Sequence, residues 1–313
     1  MKKLLIGLFA AAFIFAGCEN SPNANGGTGT EETVSEEKKD NGDKKTPESK
    51  YIGTKAPEVA KEVGDIVFTD GSATPYTEEL TLTDEQKAAA IAVIFYKGTG
   101  LNSDVYKGTE IVGKAIWETG DTKTVRTLGV GLKHNKSGLA WCSRSSNAYL
   151  KNISTIQCLS HGKYGEFTFS GDKNGSDNLE QIESFDEVDD TELPENYPAF
   201  YFAKNYKDIA TNLAGTEYEN GWYLPTLAEI FQIFACMHDT TNGLNVDSIS
   251  ELCGGDIFND NNKSYCTSSQ FFISEYSNYT FNFYDGGWEA TRKIDAGSSN
   301  TRPFKVCAIR EFN

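Results

Sequence analysis

The chain has 313 residues, with 45 Asp+Glu against 29 Lys+Arg for a formal net charge of −16, and 38% of its residues are apolar. A pI near 4.7 without a Lys/Arg cluster excludes phosphate-driven nucleic-acid binding and a polybasic membrane-surface segment, because nothing would displace counterions. The length suffices for one large or two small domains with true cores.

Lys2 and Lys3 precede an apolar run, Leu4 to Ala16, that is too short to span a bilayer. The run ends in Phe15-Ala16-Gly17-Cys18, which resembles a bacterial lipobox, with Phe where Leu is commoner. That resemblance implies a signal peptide over 1–17, cleavage before Cys18 and lipidation of Cys18, hence an anchor at the outer membrane surface of the cell envelope. Loss of the two lysines would leave 27 Lys+Arg against 45 Asp+Glu, a mature charge of −18. Residues 19–50 carry almost no apolar side chain, cannot offset their ordering entropy by burial, and read as a disordered acidic tether, placed over 18–55.

The domain is expected over 56–313. Asp65-Ile66-Val67-Phe68 reads as a strand closed by an Asp70-Gly71 turn. Thr83 and Gln86 stand at capping-box spacing, and Ile91 to Tyr96 read as a buried strand. Leu128 to Leu132 is Gly-interrupted, and Leu139 to Cys142 reads as core near a bend. Ala199, Phe202, Ala203, Tyr206, Ile209 and Ala210 follow Pro198 at helical spacing and predict a helix through 210. Thr226 and Glu229 form a second capping box ahead of Leu227, Ile230, Phe231 and Phe234. Short strands and long polar loops make up the rest, so the expectation is a single α+β domain with much irregular structure.

The six cysteines beyond Cys18 (Cys142, Cys158, Cys236, Cys253, Cys266 and Cys307) allow 15 connectivities, of which no spacing selects one. Export permits disulfides, and one or two at most are expected, against buried thiols as the alternative. No CxxC pair, Walker motif or dinucleotide fingerprint is present. His134, His161 and His238 stand apart from any nucleophile signature. Asp172 to Asp177 has the alternating oxygens of a calcium loop, but Gly175 falls at the fourth position and not the sixth, so a polar turn is the better reading. No metal or cofactor is expected.

Nine aromatic residues fall between Tyr265 and Trp288, where an even spread would put about three. Tyr279, Phe281 and Phe283 alternate as a strand with one buried face, Asp285-Gly286-Gly287 supplies a turn, and Phe304 to Ile309 reads as a returning strand. Phe271, Phe272, Tyr276, Tyr284 and Trp288 lie among Ser, Asn, Gly and Asp, the mixture of rigid aromatics and adaptable polar groups found in paratopes.

Gly221-Trp222-Tyr223-Leu224-Pro225-Thr226-Leu227-Ala228-Glu229 resembles the helix entry of formylglycine-generating-enzyme-like, lectin-like domains. Thr267-Ser268-Ser269-Gln270, Arg302-Pro303-Phe304 and Ala308-Ile309-Arg310-Glu311-Phe312 are similar to the frame around the variable region of variable proteins of diversity-generating retroelements, treponemal variable-protein type. The resemblance covers roughly 60–313 and implies a C-type lectin-like fold of the formylglycine-generating-enzyme subtype. It further implies a variable region at about 265–313 that binds a macromolecular ligand, protein or glycan, without catalysis. Mutagenesis at template adenines in that family would leave Trp288, Glu275, Glu289, Lys293 and Gln270 invariant, with Trp288 still able to line the site. Phe271, Phe272, Ser274, Tyr276, Ser277, Tyr279, Tyr284, Asp285, Arg292, Asp295, Ser298 and Ser299 are the implied variable positions. The enzyme branch needs a close pair of reactive cysteines in a context absent around Cys266 and Cys307. An exported oxidase using those two residues, and a structural envelope lipoprotein, are the rival readings.

Overall fold

The computed structural model describes residues 50–101, 103–114, 124–163, 166–172, 174–186, 193–259, 264–295, 297–298 and 302–313. Residues Glu48–Asn313 form one compact unit. Cys18, the expected signal segment and nearly all of the expected tether lie outside the described residues. No helix among the described residues is long and apolar enough to cross a membrane.

The architecture is mixed α+β. Strands β1 (Asp65–Phe68) and β2 (Ala73–Pro75) form a hairpin around the Asp70-Gly71 turn, where Gly71 takes a φ of 80°. Helix α1 (Asp84–Ala89) opens on the predicted capping box: Gln86 N donates to Thr83 Oγ1 at 3.2 Å and Thr83 N to Gln86 Oε1 at 3.0 Å. Strands β3 (Ala90–Gly98), β4 (Asp104–Lys107), β5 (Glu110–Lys114), β6 (Arg126–Gly131), β7 (Gln157–Lys163) and β8 (Glu166–Ser170) follow. Next come helices α2 (Gly175–Asp186), α3 (Leu193–Asn196), α4 (Pro198–Lys204), α5 (Leu227–Met237) and α6 (Val246–Leu252). Strands β9 (Ser264–Phe271), β10 (Ser277–Asn282), β11 (Gly287–Arg292), β12 (Gly297–Ser298), β13 (Arg302–Pro303) and β14 (Ile309–Glu311) complete the described elements.

One sheet runs β14-β6-β3-β1-β2, all antiparallel, so early and late parts of the chain share a sheet. A second runs β11-β10-β9-β7-β8-β4-β5, with only β7 and β9 parallel. The first sheet is buried on both faces, which is why Ile91 to Phe95 is continuously apolar and not alternating. Val93, Phe95, Leu128 and Val130 pack on one face with α5 and the β9–β10 pair. Val67, Ala92 and Ile94 pack on the other with Trp141, Tyr206, Trp222 and α4.

Three sequence expectations change. The domain starts before residue 56: Ile52 N bonds Asp70 Oδ2 at 2.9 Å, Gly53 N bonds Ser72 Oγ at 2.7 Å, and Lys55 bridges Ala73. The helix from Pro198 stops at Lys204 and passes into a single 3-10 turn, Tyr206–Asp208, leaving Ile209 exposed. Phe304 to Ile309 is not one strand, because it crosses between sheets. Lys305 bridges Tyr265 in the second sheet, Ile309 pairs with Val130 in the first, and Val306, Cys307 and Ala308 fill the space between.

Candidate functional site

The residues that carry the family resemblance form a buried polar frame. Trp222 is packed against Tyr206 at 4.5 Å and donates its indole N–H to Tyr218 O at 2.7 Å. Thr226 caps α5: its Oγ1 accepts from Glu229 N at 3.1 Å, while its own N–H reaches Glu229 Oε2 at 2.8 Å. Thr267, Ser268, Ser269 and Gln270 on β9 are fully buried, and each of the last three ties a different element to that strand. Ser269 Oγ accepts from Leu227 N of α5 and donates to Asp172 Oδ2 at 2.6 Å. Ser268 Oγ accepts from Asn178 Nδ2 of α2 at 2.7 Å. Gln270 accepts from Ile153 N and donates to Lys151 O and Asn152 Oδ1. Buried polar side chains demand such partners, so this ladder fixes where β9 ends and the following loop begins.

Lys293 completes the frame from β11's far end. Its ammonium is fully buried, donates to Ala148 O at 2.7 Å and Lys151 O at 2.9 Å, and lies over the Trp141 ring at 4.8 Å. Burial lowers its pKa to about 8, opposed by the neighbouring Cys142. Its backbone N–H donates to Tyr276 O at 2.9 Å, holding the β9–β10 loop beside the 148–151 turn.

On this frame the expected binding residues sort into distinct groups. Tyr279 is buried to 1% exposure, with its ring 5.2 Å from Phe271 and its hydroxyl on Cys158 O, so it is core and leaves the candidate face. Phe271, Phe272 and Trp288 are half-buried against the core, and Trp288 meets Phe167 at a tilt and Phe169 edge-on, at 5.1 and 5.2 Å. Tyr276 and Tyr284 are exposed, as are Asp285, Arg292 and Asp295, while Ser274 and Ser277 are half-buried. Ser298 pairs with Arg302 in the two-stranded ribbon, and Ser299 lies outside the described residues.

These residues do not make one flat cluster. Ser277 pairs with Arg292 at one end of the β10–β11 hairpin, and Asn282 with Gly287 at the other. The six residues from Ser277 to Asn282 make five steps, a span of about 17 Å. Ser274, Tyr276, Ser277, Arg292 and Asp295 therefore gather at the β9–β10 loop end, and Tyr284 with Asp285 at the opposite turn, where Gly286 (φ 70°) packs against Phe234. The loop end also exposes Ile273 (72%), and the neighbouring turn exposes Leu150. Neither stood out in the sequence, although an Ile within a Ser-rich segment is the signal that points to it.

The other candidate chemistry is buried. None of the six described cysteines is in a disulfide and all are buried, so the expected disulfides are not formed. Burial pushes the Cys266 thiol up to about 12 and raises Cys307 further, which keeps both protonated and inaccessible. His134 is enclosed, bonded to Tyr265 Oη at 2.9 Å, and burial lowers its pKa to about 3, so it is neutral. His238 caps the end of α5 against Phe234, and the side chain of His161 lies outside the described residues. Asp172 turns inward and is not open to a calcium ion; Gly175 begins α2, and Glu183 pairs with Lys204 at 3.1 Å. Among the described residues no three His, Cys, Asp or Glu side chains are grouped as a metal site.

No family model and no curated protein matches the chain. One solved structure with a similar course of the chain is the crystal structure of a fimbrial protein from Bacteroides ovatus, at 13% identity and a TM-score of 0.47. The match covers 80% of this chain and 48% of that protein, so the chain spans about half its length.

Proposed function

We propose that this is a surface-displayed binding protein with a C-type lectin-like fold, a variable protein of a diversity-generating retroelement anchored to the outer membrane by a lipid at Cys18. The observation that carries the reading is the pairing of an exposed, mixed apolar and polar loop end with a fully buried polar frame. Ile273, Tyr276, Arg292 and Asp295 face solvent directly beside Gln270 and Lys293, which are locked into the interior. A rigid support under a side-chain-tolerant surface suits recognition that changes by substitution, since the exposed residues contribute little to stability.

The binding face is the β9–β10 loop end, with Phe271 and Phe272 as half-buried walls; Trp288, opposite Phe281 and one pair from the turn, stands with Tyr284-Asp285 in a second, separate contact. Its ligand is a protein or glycan, and no cofactor takes part. The burial of Cys266 and Cys307 supports binding over the oxidase reading, because a thiol without access cannot attack a substrate.

Sequencing codons 264–313 in several isolates of one strain tests this. The expected result is variation at exposed loop-end positions, with Tyr279, Gln270 and Lys293 constant and varied codons matching adenines in an adjacent template repeat. An invariant segment, or changes spread evenly over frame and surface, would overturn the proposal and leave the structural lipoprotein.

A further inference from the structure

A cavity of about 380 Å³ opens between the end of α1, the start of β3, the end of β6, the turns at 206–213 and the end of α6. None of its lining residues lies in the 264–313 segment, so it is separate from the proposed binding face. In a chain with a net charge of −16, no Asp or Glu lines it, whereas Lys87 and Lys133 do. Lys87 has no ion-pair partner among the described residues. Among the described residues the Lys133 ammonium bonds Gly254 O alone, at 2.9 Å. Tyr206 also lines the cavity; its buried hydroxyl accepts from Lys133 N at 2.7 Å, and among the described residues its own hydrogen goes to no acceptor. The site therefore has two lysines at its edge and a tyrosine with an unused hydroxyl hydrogen in its wall. Its walls are apolar, from Ile91, Leu132 and Ile209.

Two helix ends face the same space, and exposed terminal carbonyls would favour a cation. They are already occupied. Asn212 Nδ2 donates to both Ala88 O and Ala90 O at 3.0 Å, and Lys133 covers Gly254 O. The volume lies in the range of small-molecule sites, and the combination of apolar walls with a few convergent donors is what such sites use to fix orientation.

We propose that this cavity binds a small carboxylate with an apolar body, its head group between Lys87, Lys133 and the Tyr206 hydroxyl and its tail against Ile91, Leu132 and Ile209. The test is calorimetric titration of the full chain with three probes of one shape: hexanoate, hexanol and hexylammonium. Hexanoate should bind saturably and at least about fivefold tighter than hexanol, the value of one partly screened ion contact. Lys87→Ala and Lys133→Ala should each weaken hexanoate by a similar factor and leave hexanol unchanged. Ile209→Glu, which puts a negative charge at the exposed rim, should abolish hexanoate binding. Because Lys87, Lys133 and Ile209 are exposed, these variants should unfold at the wild-type temperature, and that measurement separates a lost site from a lost fold. Equal affinity for hexanoate and hexanol, tighter hexylammonium, no saturable binding, or hexanoate affinity unchanged in all three variants would each overturn the proposal.

Discussion

Arg126 of β6 donates from Nη2 to Oε1 of Glu229 at 2.7 Å, joining the first turn of α5 to a strand 103 residues earlier in the chain. Glu229 is fully buried and its other oxygen accepts from Thr226 N and from Gly175 N, the first residue of α2. Arg126 Nε also bonds Glu311 Oε1 of β14 at 2.6 Å. Burial opposes the Arg126 charge, but Glu229 and then Tyr223 and Glu311 outweigh it and raise its pKa. One guanidinium thus connects two sheet strands and the capping-box helix.

Removing one partner leaves a buried charge alone. Arg126→Met should cost about 3–5 kcal/mol in urea denaturation. Arg126→Met combined with Glu229→Gln should cost less than the sum of the two single changes, since the second removes the stranded charge. Strictly additive losses would show that the pair is not coupled.

Asp172 predicts a pH dependence. Burial raises its pKa to about 8, partly offset by the hydrogen bonds from Ser269 and Asn178, and its Oδ1 has no partner in the interior. The folded state therefore holds this proton more tightly than the unfolded chain, where the group titrates near 3.9. Its contribution to stability is present below about pH 4, falls as pH rises, and is fully lost above about pH 8. Asp172→Asn keeps an acceptor for Ser269 and should raise stability by a few kcal/mol at pH 8 and by little at pH 4. Lys293, with its pKa lowered to about 8, acts with the opposite sign and above that window, so the readout is the difference between variant and wild-type urea midpoints at pH 4, 6 and 8. Parallel curves would contradict the assignment.

The three tyrosines of the β10 strand and its flanking loops should separate cleanly. Tyr279→Ala empties a fully buried site and should destabilise the domain by about 3–5 kcal/mol, as for other large core truncations. Tyr284→Ala and Tyr276→Ala remove exposed rings and should stay within about 0.5 kcal/mol of wild type by thermal unfolding. A large loss at Tyr284 would mean that its ring is covered.

Thiol chemistry gives a fourth check. With all six described cysteines buried and outside any disulfide, an aromatic disulfide reagent at neutral pH should label none of them in the native protein and all of them after unfolding without reductant. Rapid native labelling at Cys266 or Cys307 would reopen the oxidase reading.

Features set by neighbours in the chain were legible before the fold was known. The Thr83-Gln86 and Thr226-Glu229 boxes formed as their three-residue spacing dictates, and the strands at Asp65–Phe68 and around Ile91 to Tyr96 followed from apolar runs bounded by turns. The alternation of Tyr279, Phe281 and Phe283 marks buried positions, but Asn278 and Thr280 between them are buried as well, so both faces of β10 are covered and Tyr279 does not belong to the binding face. Alternation gives the period of a strand but not the exposure of each position on it, which depends on what packs opposite. The crossing segment at 304–309 looked like a strand for a related reason: full burial on all sides produces the same apolar run whether or not a ladder forms.

The local aromatic excess, the acidic charge, the capped helices and the motif residues of the frame are properties of sequence, because they depend on side-chain identity and short spacing. Tertiary structure alone decided that Ser277 meets Arg292 while Asn282 meets Gly287, and so divided the expected binding residues between two ends of one hairpin. It also decided that Lys293 enters the interior and that Lys87 and Lys133 share a cavity with Tyr206. Strand register and long-range contact arise from how whole faces pack, and no local spacing encodes them.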